Sequence, residues 1–70
     1  MESDYQYLLK VRLKGFKTRW VKFIDWEERM IYYTKDEFEA GGFEPYSRAV
    51  EVARFLENEP SVVKVEIKEI

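Results

Sequence analysis

The residues best able to do chemistry in this chain are carboxylates. Glu27-Glu28 and Asp36-Glu37 are adjacent pairs, and Asp36, Glu37 and Glu39 sit in one short stretch. General acid–base catalysis needs two carboxylates held apart in a cleft with separated pKa values. Neighbours in a charged loop are simply solvated. Asp36, Glu37 and Glu39 as a hard-cation site have no established ligand spacing. Ser3, Ser47 and Ser61 have no histidine to activate them, because the chain contains no His and no Cys. Gly41-Gly42 lacks the strand–loop–helix setting and the lysine of a phosphate cradle. The expectation is a protein without catalytic residues, metal or other cofactor.

Composition narrows the class further. Seventy residues make a single domain, 1–70, near the lower size for a chain that folds without staples. The lack of cysteine fits a reducing compartment. No apolar run reaches the roughly 20 residues of a membrane helix, and MESDYQ is no secretory leader. The expectation is a cytoplasmic protein with no membrane partner. The net charge of −2 is unevenly spread. Residues 1–24 hold Lys10, Arg12, Lys14, Lys17, Arg19 and Lys22 against Glu2 and Asp4; residues 25–44 are strongly acidic. The molecule is expected to be dipolar unless folding mixes the two regions.

The elements that must position these charges are readable from periodicity. Tyr5–Lys14 alternates cleanly, with Tyr5, Tyr7, Leu9, Val11 and Leu13 on one face. Gln6, Leu8, Lys10, Arg12 and Lys14 form the other. Gly15 marks a turn. Arg19–Asp25 and Met30–Thr34 read as two further strands, each with apolar groups on both parities. Asp25 opens the turn between them. Lys35–Glu44 reads as a surface loop tied down by Phe38, Phe43 or both. Tyr46, Ala49, Val50, Ala53 and Leu56 recur at helical spacing, with Val52 at the margin and Phe55 nearly opposite. Asn58 and Pro60 end that helix. Val62–Ile70 is a last strand with Val63, Val65 and Ile67 facing in.

The order is βββαβ, and the fold class is α+β. A meander followed by a helical crossover predicts a four-stranded mixed sheet of order 3-2-1-4, the last strand parallel to the first. One helix packs on one face and leaves the other open. On that open face Lys10, Arg12 and Lys14 project, with Lys22 on the next strand. The surplus apolar groups of the hairpin are either Trp20, Ile24, Trp26, Met30 and Tyr32, or else Val21, Phe23, Ile31 and Tyr33. Exposed Trp, Tyr, Met and Arg are the groups that protein interfaces use. The bland reading is that the acidic loop folds over this face and buries the surplus.

The expected partner-binding residues are therefore Trp20, Trp26, Met30 and Tyr32 as anchors, with Lys10, Arg12, Lys14 and Lys22 to orient the partner. The partner is a protein or a second copy of the chain. The alternative is single-stranded nucleic acid, with bases stacked on aromatics and cations on the backbone.

Two resemblances accompany this reading. YLLKVRLKGFKTRWVKFIDWEERMIYYTKD resembles the opening strands of pleckstrin-homology domains: a basic first strand, an R-W-x-x-F-like second and an aromatic third. That resemblance implies inositol-phosphate binding by Lys10, Lys14 and Arg19. It covers less than half the chain, which is too short for the seven-strand barrel of that family. The whole-chain pattern resembles short accessory proteins of phages and mobile elements: a Y-x-L-x-V-type strand, a hairpin, a helix carrying Ala49 and Ala53, and a V-x-V-x-I-type strand. It implies a non-catalytic protein that binds and inhibits a host protein by occluding a surface.

Overall fold

A computed structural model describes residues 6–69. Tyr5 and Ile70, expected at strand ends, lie outside the described residues, as does Ser3. Four strands form one sheet: β1 (Tyr7–Leu13), β2 (Lys17–Asp25), β3 (Met30–Thr34) and β4 (Val62–Glu69). A 3-10 turn, Glu37–Glu39, and one helix, α1 (Tyr46–Glu57), lie between β3 and β4. The class is α+β and the strand order is β3-β2-β1-β4.

Both hairpins have local causes. At the β1–β2 turn Gly15 and Phe16 take positive φ, 85° and 62°. Two left-handed residues match the twist of the flanking strands. Between β2 and β3, Asp25 Oδ1 accepts from the amides of Glu27 and Glu28 at 3.1 and 3.2 Å. This carboxylate holds the turn, as expected of a turn-opening aspartate.

One detail of the sheet differs from the sequence expectation. β4 runs antiparallel to β1, so the sheet is antiparallel throughout rather than mixed. The reason lies in residues 35–45. β1 and β2 pair only from Lys10–Leu13 to Lys17–Trp20, and beyond that they diverge. The chain after β3 enters this fork. Gly41 donates its amide to the Val21 carbonyl at 3.0 Å, and Tyr7 and Phe43 exchange both backbone bonds at 2.9 and 3.0 Å. The loop thus carries the chain from the end of β3 to the start of β1. α1 begins there, with Tyr46 edge-on to Tyr7 at 5.2 Å. The helix returns the chain to the far end of β1, where Lys14 donates to the Ser61 carbonyl. The loop rather than the helix supplies the first reversal, and β4 must then run against β1.

The core lies between α1 and one face of the sheet. Leu9, Val11, Val21, Ile24, Ala49, Val52, Ala53 and Leu56 are buried. Full burial of each large aliphatic here stabilises by about 1.5–3 kcal/mol. The buried helix stripe is centred nearer Val52 than expected: Val52 is fully buried, while Tyr46 is exposed and Val50 half-buried. In β4 it is Val62 that turns inward. A bulge opposite Arg12–Leu13 puts Val63 outside, 60% exposed. Asn58 closes the helix, its amide reaching the Phe55 carbonyl and its side chain the Arg54 carbonyl.

The glycine pair has its explanation in the fork. A Cβ on Gly41 would strike the backbone carbonyl of Lys22, whereas one on Gly42 would meet only the flexible Gln6 side chain. Gly41→Ala should therefore destabilise by about 1–3 kcal/mol, the usual range for overpacking. Gly42→Ala should cost less, because Gln6 can swing away. Urea unfolding of the two variants checks this; equal midpoints would remove the threaded passage.

Candidate partner-binding site

The face opposite α1 is built by alternate residues of all four strands. β1 contributes Leu8, Lys10 and Arg12, and β4 contributes Lys64, Glu66 and Lys68 through the pairs Leu8↔Lys68, Lys10↔Glu66 and Arg12↔Lys64. β2 contributes Thr18, Trp20 and Phe23, and β3 contributes Met30 and Tyr32.

The parity of β2 is settled by a bulge, and neither alternative read from the sequence applies. The β2–β3 register shifts between Val21 and Phe23 at Lys22. Val21 and Ile24, three residues apart, consequently both reach the core. Trp20 and Phe23 both take the open face. An extra residue in one strand re-aims every side chain after it. Alternation alone cannot locate such a residue. In β3, Ile31 and Tyr33 pack towards the core and Met30 and Tyr32 face out.

The open face has two parts. The first is apolar. Phe23 and Tyr32 stack at 5.2 Å with planes 24° apart. Beside them lies Met30, its sulfur 4.0 Å from the Tyr32 hydroxyl. These three are 54%, 41% and 49% exposed. The second part is basic and centred on Trp20. Lys10 Nζ and Lys68 Nζ lie 6.0 and 5.6 Å from the centre of its ring. At this range an ammonium is attracted by the ring quadrupole. Arg12 lies one pair further along. Among the described residues neither Lys10 nor Arg12 is in an ion pair, while Lys64 pairs with Glu66 at 3.4 Å and Lys68 with Glu37 at 2.6 Å.

The acidic loop covers only a corner of this face. Leu8, expected among the exposed basic row, is buried. It forms the floor of an open cleft of 420 Å³ with Gln6, Glu37, Phe38, Ala40 and Lys68. Phe23, Met30 and Tyr32 stay exposed. Phe43 ties it down from the core side, while Phe38 is 96% exposed. Its carboxylates have structural partners: Asp36 accepts from the Phe38 amide, Glu39 from the Thr34 hydroxyl and Glu37 from Lys68.

Of the anchors expected from sequence, the structure brings Trp20, Met30 and Tyr32 to the open face and separates Trp26 from them. Trp26 lies on the helix side, 5.1 Å from the Phe55 ring, with Arg48 over it at 5.4 Å. The turn after Asp25 carries it around the sheet edge, and Phe55 gains there the cover that its place on the helix demands. Of the cations, Lys10 and Arg12 lie in the sheet, Lys14 in the β1–β2 turn and Lys22 at the bulge. Sequence reasoning placed Phe23 only in the alternative with Val21, Ile31 and Tyr33; the bulge separates it from these and sets it opposite Tyr32. It missed Phe16. That side chain is fully exposed at the hairpin tip, with its backbone in the left-handed region. For a residue with a Cβ this conformation costs about 1–2 kcal/mol. A non-glycine residue directly after a turn glycine was the available signal.

No protein-family model, curated protein or solved structure matches the chain. No described helix is long and apolar enough to cross a membrane.

Tyr33 lies behind the site, on the core side of β3 opposite Val21. Burial raises its phenol above the usual value, and the negative charge of Glu59 adds to the effect. The folded state therefore favours the neutral phenol. This stabilisation is complete below the unfolded pKa of about 10 and is lost as pH rises through the higher folded value. Stability measured by urea titration between about pH 8 and 11 should fall more steeply for the wild type than for Tyr33→Phe. Parallel curves would place Tyr33 outside the packed side of the sheet.

Proposed function

We propose that this chain is a small non-catalytic binding module that engages a protein partner through its open sheet face. One observation carries the reading: Phe23, Tyr32 and Met30 form an exposed apolar cluster beside Trp20 and the basic pair Lys10 and Arg12. Aromatic and Met groups next to cations suit the centre and rim of a protein interface. The hot-spot residues are Phe23, Tyr32 and Trp20. Lys10 and Arg12 steer a partner that is acidic around an apolar centre. The finer reading is an inhibitor of the kind phages and mobile elements encode, acting by occlusion in a host cytoplasm. It draws its support from the resemblance of the whole-chain pattern. Inositol-phosphate binding on Lys10, Lys14 and Arg19 has less support, because these side chains are spread over a strand, a turn and a neighbouring strand.

A second reading is favoured by Trp20 itself. An indole between two lysines, with Arg12 near, suits a single-stranded nucleic acid whose base stacks while phosphates meet the cations. Salt separates the two. Binding of an oligothymidine should weaken steeply between about 50 and 200 mM salt if the second reading holds. No binding at the lower salt removes it.

The leading reading is tested by comparing variants in partner capture from a lysate of the source organism or its host. Phe23→Ala and Tyr32→Ala should each weaken retention of the partner by about 2 kcal/mol, roughly 30-fold in affinity, with thermal melting nearly unchanged. Trp26→Ala, on the other side of the molecule, should leave retention as it is. A partner that depends on Trp26 and tolerates both open-face changes would overturn the assignment.

A further inference from the structure

Among the described residues the backbone of β4 has one unpartnered edge. Tyr7 exchanges both its backbone bonds with Phe43, on the β2 side of β1. Alternate residues of a strand turn their N–H and C=O groups to opposite edges. Leu8, Lys10 and Arg12 therefore bond to β4, through Lys68, Glu66 and Lys64. Val65 and Ile67 must turn theirs outward. Among the described residues no backbone group bonds to that edge. Such an edge is a template for another strand.

Its side chains restrict which strand fits. On the open face the edge reads Lys64, Glu66, Lys68, with Lys64 and Glu66 already 3.4 Å apart. This pattern is complementary to itself about Val65; about Ile67 it would also set Glu66 opposite the partner's Lys68, but Val65 would then face the partner's Glu69, and Lys68 is already paired with Glu37 at 2.6 Å. Centred on Val65, pairing sets Lys64 opposite the partner's Glu66, and the partner's Lys64 opposite Glu66. Four charges of alternating sign then meet around the two-fold axis. On the helix side Val65, which packs against the core, meets the partner's Val65. Centred on Glu66, the same strands would oppose Glu66 to the partner's Glu66 and Lys64 to the partner's Lys68. Like charges directly opposite are destabilising. The other edge, β3, has only five residues and no charge within it, so nothing there specifies a register.

We infer that β4 is the homodimer edge of this protein, pairing antiparallel with a second copy about Val65 to make a continuous eight-stranded sheet. The two basic rows Lys10–Arg12 then flank the central charges, and the apolar clusters of β2 and β3 remain free at the outer ends. The interface is distinct from the partner-binding cluster, so either assignment can fail without the other.

Sedimentation velocity on the full chain over a concentration series tests this, with circular dichroism to confirm folding. The wild type should show a monomer–dimer equilibrium. Glu66→Lys should weaken it at least about tenfold, since it sets like charges opposite one another twice. Lys64→Glu alone should do the same. The exchange Lys64→Glu with Glu66→Lys in one chain should restore dimerisation to within a few-fold. Amide exchange at Val65 and Ile67 should slow as concentration rises. A monomer up to millimolar concentration, a double variant no better than the singles, or slowed exchange at Ile31 and Tyr33 instead would overturn the inference.

Discussion

The passage of Gly41–Phe43 between β1 and β2 is the constraint on which the rest of the architecture depends. Strands that pair over four residues and then part would leave the Val21 carbonyl and both backbone groups of Tyr7 without partners. Unpaired backbone groups in a packed interior are costly. The loop satisfies them, and in doing so it moves the chain from one face of the sheet to the other. Phe38 and Ala40 lie on the open face by Leu8, while Phe43 packs with the core. Helix direction, the antiparallel placement of β4 and the sealing of the lower core are all set by where this segment emerges. Only glycine allows the close approach at position 41, so the acidic loop is an interior structural element at that point and a surface loop on either side.

How far the sequence speaks depends on whether a feature is periodic. Tyr7–Leu13 alternates, and its inward residues Leu9 and Val11 are fully buried as the period demands. The helix, its Asn58 end and the strand order were legible for the same reason. The features that were not legible are the path of the loop 35–45, which reverses β4, and single-residue interruptions of a period. The bulge at Lys22 lets Val21 and Ile24 share the core, and the bulge at Val63 moves Val62 inward. Each adds one residue and reverses the parity of the residues beyond it. The ambiguity of β2 was itself the trace of the bulge, since a strand with apolar groups on both parities can satisfy both by a shift midway. The candidate site was legible in its charges, in Trp20, Met30 and Tyr32, but Phe23 and Trp26 changed sides because each lies beyond an interruption.

The two faces of the sheet solve the same problem differently. On the helix side, Trp26, Phe55 and Arg48 close around one another, aromatic against aromatic with a cation above. That cluster extends the core to the sheet edge and covers Phe55, while Trp26 itself stays 45% exposed. On the open side, Phe23 and Tyr32 stack on each other but stay exposed on their outer surfaces. A chain of this length has one helix and one long loop with which to cover two faces. The loop is committed to the fork, so it covers Leu8 and stops.

This shortage explains why the exposed apolar cluster falls where it does. Covering Phe23, Tyr32 and Met30 would require the loop to run along β2 and β3, and it then could not return to Tyr7. The backbone bonds in the fork and the cover over the apolar cluster compete for the same few residues. Net hydrogen bonds of about 1 kcal/mol each, with the penalty for leaving buried groups unmade, favour the fork. The exposed cluster is thus the remainder of a folding requirement. The basic row beside it, Lys10 and Arg12, lies on the same strand whose inward side anchors the core. A partner docking there would meet a rigid platform, positioned by the most regular strand in the molecule and needing little ordering on association.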